Sequence, residues 1–116
     1  ISKDKDELQK FLNYQCVVIF NSRLERLKSQ FDDLPEFRLR IRHMSTRWGV
    51  CNTKSMTVTL NSELIKKDVS LIDYVIIHEL CHFKHMNHSS AFWSEVERYY
   101  PYHKMARKML KESQND

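Results

Sequence analysis

Apolar residues recur at three- and four-residue steps along the first quarter of the chain. Leu8, Phe11, Leu12, Cys16, Ile19, Phe20, Leu24, Leu27 and Phe31 share one face of a 3.6-residue period. The spacing predicts a long amphipathic helix from Lys3 to Phe31 with that face in the core, weakened locally by the β-branched Val17, Val18 and Ile19. Asp32-Asp33-Leu34-Pro35 ends it, because proline cannot continue a helix. From Phe37 to Met44 the period shortens to two. Leu39 and Ile41 point one way and Arg38, Arg40 and Arg42 the other, the pattern of a strand with one wet face. Trp48 to Cys51 and Met56 to Leu60 read as two short strands joined by the polar turn Asn52-Thr53-Lys54-Ser55, a hairpin.

Helical spacing then returns. Asn61 or Ser62 can cap a short turn through Ile65. A central helix begins at Ser70, with Asp73 completing a weak capping box and Leu71, Ile72, Val75 and Ile76 facing inward. Ser89 or Ser90 caps the next helix, which carries Phe92, Trp93, Val96 and Tyr99 and stops before Pro101. Tyr102 to Lys111 form a last helix with Met105, Met109 and Leu110 inward. The sum is an α+β fold: a long N-terminal helix, a small antiparallel sheet of about three strands, a central helix and C-terminal helices. Residues 1–116 are read as a single domain.

Composition narrows the class without naming it. Charged residues are 29% and hydrophobic ones 41%, which is globular rather than disordered. Cys16, Cys51 and Cys81 are odd in number and widely spaced, which fits a reduced, cytoplasmic protein better than a disulfide scaffold. No apolar run approaches the roughly 20 residues that span a membrane, and no signal-peptide pattern is present. The formal charge of +4 and the three arginines from Arg38 to Arg42 permit contact with nucleic acid without requiring it.

The chemistry lies in the central helix, where four of the six histidines fall between His78 and His88. His78, Glu79 and His82 form H-E-x-x-H, and residues four apart share a helix face. Two imidazoles one turn apart can lean over one zinc ion, while Glu79 reaches a water on it without ligating. A catalytic zinc needs a third protein ligand and an open fourth position. His85 lies too far along the axis. His88 can return to the ion if the chain doubles back, with Asn87 as the residue suited to a left-handed turn. Glu95 and Glu97 are rivals, since some zinc peptidases use two histidines and a glutamate. A shuffled chain of this composition would contain the bare motif roughly two per cent of the time, so its placement on an apolar helix carries the argument.

Four ordered blocks make the pattern more specific. They are Arg47-Trp48-Gly49-Val50-Cys51, Leu60-Asn61-Ser62-Glu63-Leu64, the run from Asp73 through His82, and Asn87-His88-Ser89 followed by Phe92-Trp93. On these blocks, from about Arg40 to Leu110, the chain resembles the YgjP-like metallopeptidase family, itself similar to the WLM and SprT-like peptidases. The resemblance implies a zincin-like minimal metallopeptidase domain, with zinc held by His78, His82 and His88 and Glu79 as general base. It also favours a place beside the cleft for Arg47, Trp48 and Gly49 as substrate-binding residues, rather than Trp48 as a core plug. Val50 stands where the family pattern usually has serine. Family members tend to be longer at the N-terminus, which allows that this is a C-terminal fragment of a longer protein.

Three functions from different classes follow as expectations. The first is a zinc-dependent peptidase of peptide or protein substrates, with Glu79 activating a zinc-bound water. The second is a nucleic-acid-associated zinc module, either a DNA-linked peptidase of SprT or WLM type or a DNA-binding domain with structural zinc. The third is a latent enzyme whose site is closed by an inhibitory segment. An oxyanion-polarising role falls to Tyr99, Tyr100, Tyr102 or His103 if to any of them. Oligomeric state is not legible from the sequence.

Overall fold

The structure, a computed structural model, describes residues 2–115, and side chains for residues 5–111. Helix α1 runs Ser2–Lys28. Strands β1 (Arg38–Arg42), β2 (Gly49–Asn52) and β3 (Thr57–Asn61) follow, then a 3-10 turn over Ser62–Lys66. Helices α2 (Val69–Cys81), α3 (Ser90–Tyr99) and α4 (His103–Asn115) complete the chain. The α+β architecture matches the expectation.

α2 is the hub. Leu71, Ile72, Tyr74, Val75, Ile76, Ile77, Leu80 and Cys81 are all buried, so it is apolar on nearly every side. Phe20 of α1, Leu60 of β3, Leu64 of the 3-10 turn and Phe92 and Val96 of α3 pack round it with no exposed surface. Asp68, not Ser70, is its N-cap and accepts from the Ser70 amide at 2.9 Å. Asp73 instead takes a two-pronged ion pair from Arg23 of α1, at 2.8 and 2.5 Å, which ties the two helices together.

Three expectations about packing are corrected. The sheet is mixed, in the order β1-β3-β2: β2 and β3 form the expected antiparallel hairpin, but β1 runs parallel to β3. The segment after β1 crosses to the far side before β2 begins, so β3 returns in the direction of β1. Alternation of side chains is blind to strand direction. Second, Leu8 and Phe11 are more than half exposed, while Cys16, Phe20, Leu24, Leu27 and Phe31 are buried as expected. At 27 residues α1 is roughly 40 Å long, and its buried positions begin only at Cys16. Third, α4 buries His103, Ala106 and Leu110 and leaves Met105 and Met109 exposed, its inward stripe shifted round the helix.

The strand details position the cleft. β1 keeps Arg38, Arg40 and Arg42 exposed, as its alternation predicts. β2 is the outer strand beside α2, and its hairpin turn is closed by Asn52, whose Oδ1 accepts from the amides of Lys54 and Ser55. No helix among the described residues is long and apolar enough to cross a membrane.

Candidate metal centre

His78 lies in the last turn of α2, and His82 is the residue just past its end. The His82 backbone is still helical, at φ −67° and ψ −17°, so the four-residue spacing keeps both rings on one side. Beyond it the chain tightens: the amides of His82, Phe83 and Lys84 each bond the carbonyl three residues back, at 3.1, 3.2 and 3.1 Å. That winding turns the chain without a left-handed residue. Met56 is the sole described non-glycine residue with positive φ, so Asn87 does not play the part its type suggested. His88 comes back across the end of α2 even so. One nitrogen from each of His78, His82 and His88 lies within 4.8 Å of the others, and these three form the group among the described residues that could hold a metal.

Packing explains why the rings converge. Phe92, fully buried at the start of α3, touches all three imidazoles, with centroid distances of 5.0, 4.6 and 5.0 Å to His78, His82 and His88. Trp93 lies nearly parallel to the His88 ring at 5.9 Å. Ser89 caps α3 by accepting from the Phe92 amide at 3.3 Å, which fixes the residue next to His88. Partial loss of hydration, with His82 and His78 close by, holds the His88 pKa below its ordinary value though the residue is exposed overall, so this ring favours the neutral, ligating form. His82 Nδ1 sits 3.2 Å from the backbone carbonyl of His85, the acceptor that leaves the other nitrogen free. His85 itself turns away, its Nε2 3.7 Å from Glu95.

Glu79 is 5% exposed, with Oε2 3.2 Å from His78 Nδ1. It is roofed by Gly49 of β2. A Cβ on Gly49 would stand 2.9 Å from Val75 Cγ1 and 3.0 Å from both Cγ and Oε2 of Glu79. The glycine is thus a close approach of strand to helix. Gly49→Ala is expected to destabilise the protein by about 1–3 kcal/mol through overpacking. Thermal unfolding of the variant against the wild type checks the effect.

Two open cavities flank Glu79 and share His78, Gly49 and Arg47. One, of about 510 Å³, adds Trp48, Tyr74 and Arg107. The other, of about 400 Å³, adds Val50, Cys51, His82, Met86 and His88. Arg47, Trp48 and Gly49 line the larger cavity, and Trp48 is also packed against the core. The strand's approach is held by Asn61, whose amide donates to the carbonyls of Met44 and Arg47, each at 2.8 Å. Burial, with the Glu79 charge nearby, pushes the Cys51 thiol up to about 12, so it stays protonated at neutral pH.

Several sequence candidates fall elsewhere. Glu95 faces Lys84 and His85, and Glu97 lies 3.9 Å from His103 Nε2, so neither joins the histidine group. Tyr99 stacks on Phe31, the Tyr100 hydroxyl donates to the Ser70 carbonyl, and Tyr102 is exposed. His103 is buried behind Trp93. Tyr74 and Arg107 were missed. Tyr74 had been legible only as part of an apolar run, and Arg107 carries no local signal at all.

A cluster of three imidazoles beside a buried carboxylate, in a cleft bordered by an outer strand, is the frame of a metal-dependent hydrolase. The sequence model of the YgjP-like, metallopeptidase domain family matches residues 1–113. The chain belongs to the YgjP-like metallopeptidase family. It is similar in structure to the metallopeptidase zymogen abylysin of Pyrococcus abyssi, with a TM-score of 0.70 and 31% identity over 79% of this chain and 93% of that one. It is also similar to the zymogen jannalysin of Methanocaldococcus jannaschii, with a TM-score of 0.60 and 28% identity over 84% and 92% of the two chains. Curated proteins yield no match. The protein is a metallopeptidase, a hydrolase acting on protein or peptide substrates.

Proposed function

We propose that this metallopeptidase is zinc-dependent, with His78, His82 and His88 as the ligands and Glu79 as the general base. The observation that carries the reading is the convergence of one nitrogen from each of those rings within 4.8 Å, beside a buried carboxylate. Imidazole suits several transition metals, and three protein nitrogens with one open position is the donor set of catalytic zinc. The ion would supply Lewis acidity, polarising the scissile carbonyl and making water a better acid.

The chain's own groups do the rest. Glu79 takes the proton from the attacking water and delivers it to the leaving amine. Gly49 presses it to one side and His78 flanks it on the other, so the carboxylate has little freedom to leave the cleft. β2 is an edge strand beside α2, and an extended peptide can add along it as a further strand, past Arg47, Trp48 and Gly49. Both similar structures are zymogens, and a latent form is part of this reading.

The test is a defined peptide mixture incubated with zinc-loaded or chelated protein, before and after limited proteolysis, with new termini read by mass spectrometry. Cleavage that needs zinc in either form supports the proposal. Cleavage indifferent to chelation, or none in any form, sinks it. The exposed Arg38, Arg40 and Arg42 are the feature on which a nucleic-acid reading rests. DNA binding that weakens steeply with salt would add that role.

A further inference from the structure

The two cavities beside Glu79 differ in charge. The larger gathers Arg47, Arg107 and Lys111, from the loop before β2 and from α4, over a floor of Tyr74, Val75 and Leu110. Glu79 is its single carboxylate, and that group is occupied with the reaction proposed above. The smaller cavity shares Arg47 but otherwise offers Val50, Cys51, Thr53 and Met86 beside the histidines. Among the described residues no carboxylate comes within ion-pair distance of Arg47, Arg107 or Lys111. Among the described residues these three cations round one pocket lack a carboxylate partner, which a bound anion would supply.

One of the three is held at its charged end and a second only through its backbone. The Arg107 guanidinium lies over the face of Trp93, 5.0 Å from the ring centroid, which limits its motion. Arg47 is anchored through its carbonyl by Asn61. A guanidinium edge presents paired donors that match a carboxylate.

We propose that this larger cavity is a substrate subsite selecting an acidic residue, Asp or Glu, on one side of the scissile bond, with Arg107 as its main specificity determinant. The apolar floor takes the side chain's methylenes, and the rim of cations takes its carboxylate. The inference rests on the peptidase reading, since it places the pocket next to the reacting carbonyl.

The experiment uses zinc-loaded Glu79→Gln protein, so that peptides bind without turnover, and a set of neutral octapeptides through which one Glu is moved position by position, each with its Gln counterpart. Dissociation constants are measured by calorimetry at low and at high salt. At one position Glu is expected to bind about tenfold more tightly than Gln, an advantage that shrinks with salt as befits partly exposed charges. Adding Arg107→Gln should remove most of that advantage, whereas Arg38→Gln on distant β1 should leave it intact. Equal binding of Glu and Gln peptides throughout, no binding by either, or a preference that survives Arg107→Gln overturns the proposal. Hydrolysis of the same peptides by wild-type protein is scored separately. A pocket that selects Glu in peptides never cleaved would count against the peptidase and leave the subsite standing.

Discussion

Glu79→Gln is expected to lower kcat for peptide hydrolysis by about 10²–10⁴-fold, the usual contribution of a positioned general base. The two side chains have the same shape, and this one is 95% buried between β2 and His78, where shape matters most. The amide can fill the space under Gly49 but cannot accept a proton from water. Folding should be unaffected, because the core residues Phe20, Leu60, Ile76 and Phe92 do not depend on the carboxylate. Bound metal should also be unchanged, because the three imidazoles remain. The measurements are kcat, the thermal midpoint and metal content on wild type and variant. Full activity in a folded, metal-loaded variant would mean that another group is the base.

His88→Ala should have the second-largest effect, on metal affinity. Loss of a residue that only orients a ligand costs 10–100-fold, and loss of a ligand should cost more. The ring sits outside α2 on an exposed segment, so the helix and core can form without it. Phe92 stays packed against His78 and His82, and Ser89 still caps α3. The metal-free variant should therefore unfold close to the metal-free wild type, while its zinc dissociation constant, measured against a competing chelator, rises more than 100-fold. An unchanged constant would move the third ligand elsewhere.

Much of this site could be read along the chain because its geometry is local. His78 and His82 are one helical turn apart and His88 follows within a short segment, so spacing puts the three in one neighbourhood and packing on Phe92 closes the group. Gly49, the sole glycine, stands where β2 comes too near α2 for a Cβ. What failed to show was set by tertiary contact. The parallel pairing of β1 leaves no mark on an alternating pattern. Leu8 and Phe11 obey the helical period of α1 as well as Phe20 does, yet only the C-terminal half of the stripe meets a partner. Met105 and Met109 lost the inward face of α4 to Ala106 and His103, smaller or less apolar residues that simple hydrophobic counting passes over. Asn87 was favoured by residue type, but backbone bonds from His82 to Lys84 made the turn instead. Arg107 reaches the cleft from another helix, a placement with no sequence period to reveal it.

The mechanism depends first on the group of three imidazoles. X-ray absorption at the zinc edge of the loaded wild-type protein tests it most directly. The expected spectrum contains three imidazoles and one further oxygen, with nitrogen scatterers at about 2.0–2.1 Å. A sulfur scatterer at about 2.3 Å, which would bring Cys51 into the shell, or a count of two imidazoles, would contradict it.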